Sequence, residues 1–105
     1  MKLPVNHDIC RNIIGVFNKR DENDYDFDSH EFISILRLSY SYEYYTALLD
    51  FMSVFSEEEA FQHMHSEIGK YLSKHNEILG IRPIGKHESP NYKGVNSKNE
   101  KWQKL

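Results

Sequence analysis

The sequence predicts a mostly α-helical domain closed by a C-terminal β-hairpin, and three observations carry that reading. Apolar residues recur at helical spacing in four stretches between residues 6 and 78. Helix-start signals stand ahead of three of them: Asn6, Asp28 with Glu31, and Ser56 with Glu59. After Gly80 the helical grammar stops, and Gly, Pro and polar residues take over.

In chain order, Ile9, Cys10, Ile13, Ile14 and Phe17 fall on one helical face, which predicts an amphipathic helix over 6–19 with Asn6 as its N-cap. DENDYDFD follows as an acidic loop, and Tyr25 and Phe27, two apart, suit a short strand. Asp28 and Glu31 have the spacing of a capping box, and Phe32, Ile35 and Leu36 continue a helix over 28–38. Between 41 and 54, Tyr45, Leu48, Leu49 and Met52 form one stripe and Tyr44, Phe51 and Phe55 an adjoining one. A helix so apolar is expected to be the central one. Ser56 and Glu59 repeat the capping-box spacing before Phe61, Met64, Ile68, Tyr71 and Leu72, which predict a long helix over 57–78 ended by Gly80. Residues 81–105 read either as a hairpin with a long tip or as a disordered basic tail, and composition alone leans to disorder. The hairpin form pairs Ile81–Lys86 with Lys101–Leu105 and has Trp102 to anchor it.

A chain of 105 residues has the size of one domain, and six Phe, seven Tyr and one Trp offset a modest apolar content of 39% with large side chains. No run is apolar enough for a membrane span, and the start MKLPVNHD lacks the apolar stretch of a signal peptide, so a cytoplasmic protein is expected. The lone Cys10 lies on the first apolar stripe and reads as an inert buried thiol. The charges are segregated. Residues 1–69 carry five Lys and Arg against thirteen Asp and Glu, a net −8, whereas residues 70–105 carry eight against three, a net +5. Such asymmetry points to a charged partner at one end.

No constellation of side chains favours catalysis. Ser29, His30 and Glu31 hold the letters of a hydrolase triad, but neighbours on a helix point about 100° apart and cannot orient one another. His63 and His65 lie two apart on a helix, about 200° around its axis, so they cannot grip one ion. Asp24, Asp26 and Asp28 lack the glycine and terminal glutamate of a calcium loop and read as solvated. The five glycines are scattered and form no phosphate-binding loop. No catalytic residue, metal or cofactor is therefore expected.

The polar face of the fourth helix is more informative. His63, Ser66, Lys70, Ser73 and Lys74 lie opposite its apolar stripe and can all donate hydrogen bonds to phosphates or base edges. Arg82, Lys86, Lys93, Lys98, Lys101 and Lys104 follow on the hairpin, which would make one edge of the domain continuously basic. Of the tyrosine cluster, Tyr44 and Tyr45 fit the buried stripes, while Tyr40 and Tyr42 are candidates for a partner patch.

This order of elements resembles the winged-helix (winged helix-turn-helix) family: a trihelical core from helices two to four, an N-terminal helix added, and a hairpin as the wing. HSEIGKYLSKHNEILGIRPIG is similar to the recognition helix, exit and first wing strand of such domains, including those of phage and plasmid replication proteins, and KWQKL to the returning strand. The resemblance implies a non-enzymatic DNA-binding protein, a regulator or replication accessory of a mobile element, with double-stranded DNA as its partner. Two features depart from the pattern. Glu57, Glu58 and Glu59 occupy the helix start that normally meets bases, and the turn over 53–56 lacks a glycine, so docking would use the middle of the helix and the wing. The alternative is a helical protein–protein interaction module or homodimeric adaptor, built on the tyrosines and the acidic N-terminal half.

Overall fold

Asn6 starts the first helix as its sequence demands, its side chain accepting a hydrogen bond from the Ile9 N–H at 2.8 Å. In the computed structural model, which describes residues 1–21 and 24–105, helix α1 (His7–Ile14) buries Cys10, Ile13 and Ile14. It is shorter than the expected 6–19, because Phe17 leaves the helical path to stack on Phe27, with ring centroids 4.8 Å apart. Burial pushes the Cys10 thiol up to about 12, leaving it uncharged and inert.

The acidic stretch corrects an expectation. Glu22 and Asn23 lie outside the described residues, and Asp24 is exposed, but Asp26 and Asp28 are buried rather than solvated. Each is buried because it satisfies backbone donors. Asp26 accepts from the N–H groups of Arg20 (2.6 Å) and Lys104 (2.7 Å), tying the loop to the end of the chain. Asp28 caps helix α2 (Ser29–Ser39) in the predicted capping box with Glu31, and its other oxygen accepts from His87 Nε2 at 2.9 Å. The short strand β1 is Phe27–Asp28, beginning two residues after Tyr25.

Helix α3 (Ser41–Met52) buries Tyr44, Ala47, Leu48 and Phe51. Of the first predicted stripe only Leu48 is core: Tyr45, Leu49 and Met52 are exposed, because α2 and α4 cover only one side of the helix. Helix α4 (Glu57–Lys74) buries Ala60, Met64, Ile68 and Leu72 at helical spacing. The second capping box does not form, since Ser56 makes no side-chain cap bond, and three glutamates in the first turn face the positive end of the helix dipole instead. The helix also stops four residues short of 78. His75 breaks it, a single turn α5 (Asn76–Leu79) follows, and Gly80 closes that turn at φ 70°, where a side chain would be strained.

Strands β2 (Ile81–Pro90) and β3 (Asn96–Lys104) form the hairpin, longer than expected, and β3 lies between β1 and β2 in an antiparallel sheet of three strands. Ile81 pairs with Lys104 and Pro83 with Trp102, close to the predicted register. A bulge between Pro83 and Lys86 then shifts the register, with Gly85 at φ 113°. Trp102 is wholly buried, pairs across β1 with Phe27 and donates its indole N–H to Ser29 Oγ at 3.0 Å. The hairpin is thereby fixed to the apolar core that α1–α4 largely supply, and no helix among the described residues is long and apolar enough to cross a membrane.

Candidate functional site

At its base the hairpin contributes Ile81 and Trp102 to the apolar core. Beyond the Gly85 bulge its outer part stands beside α4 and encloses a groove of about 830 Å³. One wall is the second half of α4, where Gln62, Ser66, Lys70, Ser73 and Lys74 repeat at helical spacing. The other wall is the outer hairpin, with Lys86, Lys98 and Glu100, and the floor is the start of α2, with Ser29, His30 and Ile33.

A polar network sets the distance between floor and wall. Asn99 Oδ1 accepts from the His30 backbone N–H at 3.0 Å, and Asn99 Nδ2 donates to Ser89 Oγ at 3.0 Å. The His30 imidazole Nδ1 lies 3.0 Å from both Ser89 oxygens, and its Nε2 lies 3.4 Å from Ser97 Oγ. Each member satisfies another, so the network orients the outer hairpin relative to α2.

One end of the groove is bridged. At the hairpin tip, Tyr92 stacks on Phe61 of α4 with centroids 4.6 Å apart and planes 13° from parallel, and it meets His65 edge-on at 5.1 Å. Lys93 forms an ion pair with Glu58, which raises the pKa of the lysine. His65 lies beneath this contact. Burial lowers its pKa to about 4, and its Nε2 is hydrogen-bonded with the Tyr44 hydroxyl at 2.7 Å. Burial in turn raises the pKa of Tyr44. The Tyr92 hydroxyl is buried with no hydrogen-bond partner among the described residues.

Of the eleven residues expected to form a basic edge, Ser66, Lys70, Ser73, Lys74, Lys86 and Lys98 line this groove. The others do not. His63 is turned away and stacks on Phe55 at 4.0 Å. Arg82 lies before the bulge, where its Nε and Nη2 donate to Gln103 Oε1 at 2.9 and 2.6 Å. Lys93 is held by Glu58. Nor is the edge continuous, since Lys104 donates to the Phe17 carbonyl at 2.8 Å and Lys101 lies over the Tyr25 ring. The tyrosine patch also divides: Tyr42 is 79% exposed, whereas Tyr40 packs against the core and accepts from Asn12 Nδ2 at 3.0 Å.

Sequence reasoning missed His30, Asn91, Tyr92, Ser97 and Asn99. The alternation of Ser97 and Asn99 on β3 against Ser89 on β2 was the available signal, because polar residues at every second strand position share a face.

The groove collects four lysines and one carboxylate, and that carboxylate, Glu100, accepts from the Gly85 N–H at 2.9 Å. Among the described residues no three His, Cys, Asp or Glu converge as a metal-binding group. Fold and site together define a class: a helical domain with a small antiparallel sheet and a cationic, hydrogen-bonding groove. No family model matches the chain, and comparison with curated proteins and with solved structures likewise finds no match.

Proposed function

We propose that the chain is a non-enzymatic nucleic-acid-binding domain of winged-helix type that holds the sugar-phosphate backbone in the groove between α4 and the hairpin. The observation that carries this reading is the convergence of Lys70 and Lys74 from one element with Lys86 and Lys98 from another on a single concave surface. Lys70 also pairs with Glu67 at 3.1 Å on its own helix, and the Ser, Asn and Gln side chains beside the lysines are ordinary partners of phosphate and sugar oxygens. The element order supports the winged-helix part: α2, α3 and α4 as the trihelical core, β2 and β3 as the wing, and β1 completing the sheet on the far side of β3.

Fluorescence anisotropy with a labelled oligonucleotide tests the proposal. Binding is expected to weaken with salt along a log–log slope of about −2.8 to −3.6, the range for four neutralised phosphates on single strands and on duplex. Lys70→Glu with Lys74→Glu is expected to reduce affinity at least about tenfold with the melting temperature unchanged. Equal binding by that variant contradicts this surface.

One observation favours a second reading, a homodimeric adaptor. Tyr42, Tyr45, Leu49 and Met52 are exposed along one line of α3 at the i, i+3, i+7, i+10 spacing of a two-helix seam. Sedimentation in high salt separates the readings: a salt-insensitive dimer that Leu49→Glu disperses favours the adaptor.

A further inference from the structure

We infer that the groove takes a single strand of nucleic acid and not a duplex, an inference that rests on the nucleic-acid reading above. It follows from the juxtaposition of the hairpin tip with the first half of α4.

A helix that reads duplex DNA inserts its N-terminal part into a major groove about 12 Å wide, and a helix with its side chains is already about 10–12 Å across. It must therefore enter unaccompanied. Here the first half of α4 carries a second layer: Tyr92 stacked on Phe61 and Lys93 paired with Glu58. Helix and tip together are too thick for the major groove. The same end bears Glu57, Glu58 and Glu59, which repel phosphate.

What remains is concave. Lys70 and Lys74 on one wall face Lys86 and Lys98 on the other, with an apolar side chain, Ile33, in the floor between them. Cations on two opposed walls suit a backbone lying between them, as in the positively charged grooves that track single strands. A duplex presents its phosphates on a convex surface and reaches only the rims. Gly69 widens the slot, since a Cβ built there meets nothing within 4 Å.

The test compares one labelled oligonucleotide of about ten nucleotides, single-stranded, with the same sequence as a blunt duplex, both titrated at low salt, a length within the site sizes of single-strand grooves. The single strand is expected to bind at least about tenfold more tightly. Lys86→Glu with Lys98→Glu should remove that binding, while Lys101→Glu, on the same hairpin but over Tyr25, should leave it within about twofold. Duplex binding as tight as or tighter than the strand overturns this inference and leaves the nucleic-acid reading standing. Absence of binding by either probe overturns both.

Discussion

The two halves of the hairpin differ in how their cations are used. At the base, Arg82 is bound by Gln103 and Lys104 by the Phe17 carbonyl, with Trp102 sealed into the core between them. Beyond the Gly85 bulge, Lys86 and Lys98 line an open groove with the lysines of α4. The base is thus built for stability, and the proposed ligand contacts fall on the outer part. The division falls where the bulge interrupts the register.

Several substitutions break or sharpen that contrast. The largest effect is expected at the base: Trp102→Ala empties a fully buried site and strands Ser29 without its donor, costing about 3–5 kcal/mol in urea denaturation. An effect comparable to a surface substitution contradicts the role of Trp102 as anchor.

Next comes the pH dependence set by His65. Its folded pKa is lowered from 6.5 to about 4 by burial, so the unfolded chain takes up the proton first as the pH falls. The stabilisation is complete above pH 6.5 and is lost as the pH drops through 6.5 towards 4. The loss amounts to up to about 3 kcal/mol, the free-energy equivalent of the shift. Denaturation at several pH values in this window should show the slope, and His65→Phe should remove it.

At the groove the signs separate. Lys86→Ala and Lys98→Ala are expected to change stability by less than about 0.5 kcal/mol, as surface substitutions do, because neither makes a contact that supports the fold. Their effect belongs in binding. Lys93→Ala at the tip is expected to leave the urea midpoint nearly unchanged, since its ion pair with Glu58 is exposed on both sides.

One effect runs the other way. Gly69→Ala adds a methyl where nothing lies within 4 Å and replaces a poor helix former, so it should stabilise α4 by about 0.5–1 kcal/mol. If the groove is the binding surface, the same methyl narrows it and weakens binding. A variant that gains stability without losing affinity places the ligand elsewhere.

Much of this fold was legible because its signals are local. The capping box at Asp28, the stripe of α4 and the pairing around Trp102 each depend on residues a few positions apart or on one large apolar anchor. The lysines of α4 were legible for the same reason. The sides of the hairpin were not. Arg82 and Lys86 are four apart, which in a regular strand puts them on one face, but the bulge between Pro83 and Lys86 interrupts the alternation and separates their surroundings. The bridge at the tip was hidden as well, since Tyr92 sits in a turn, where spacing gives no face, and meets Phe61 from across the groove. On α3 two equally apolar stripes compete, and only the placement of α2 and α4 decides that Tyr44 and Leu48 are buried while Tyr45 and Leu49 are not. Asp26 and Asp28 looked like solvated acids because their partners, Lys104 and His87, are distant in sequence.

The most direct measurement is an NMR titration of the protein with the single-stranded oligonucleotide. The amides of residues 66–74 and 86–99 should shift together, while those of the hairpin base around Arg82 and Trp102 and of the exposed face of α3 around Tyr45 and Leu49 stay in place. Shifts concentrated on that face of α3 or at the hairpin base, with the lysine groove unmoved, would contradict the account.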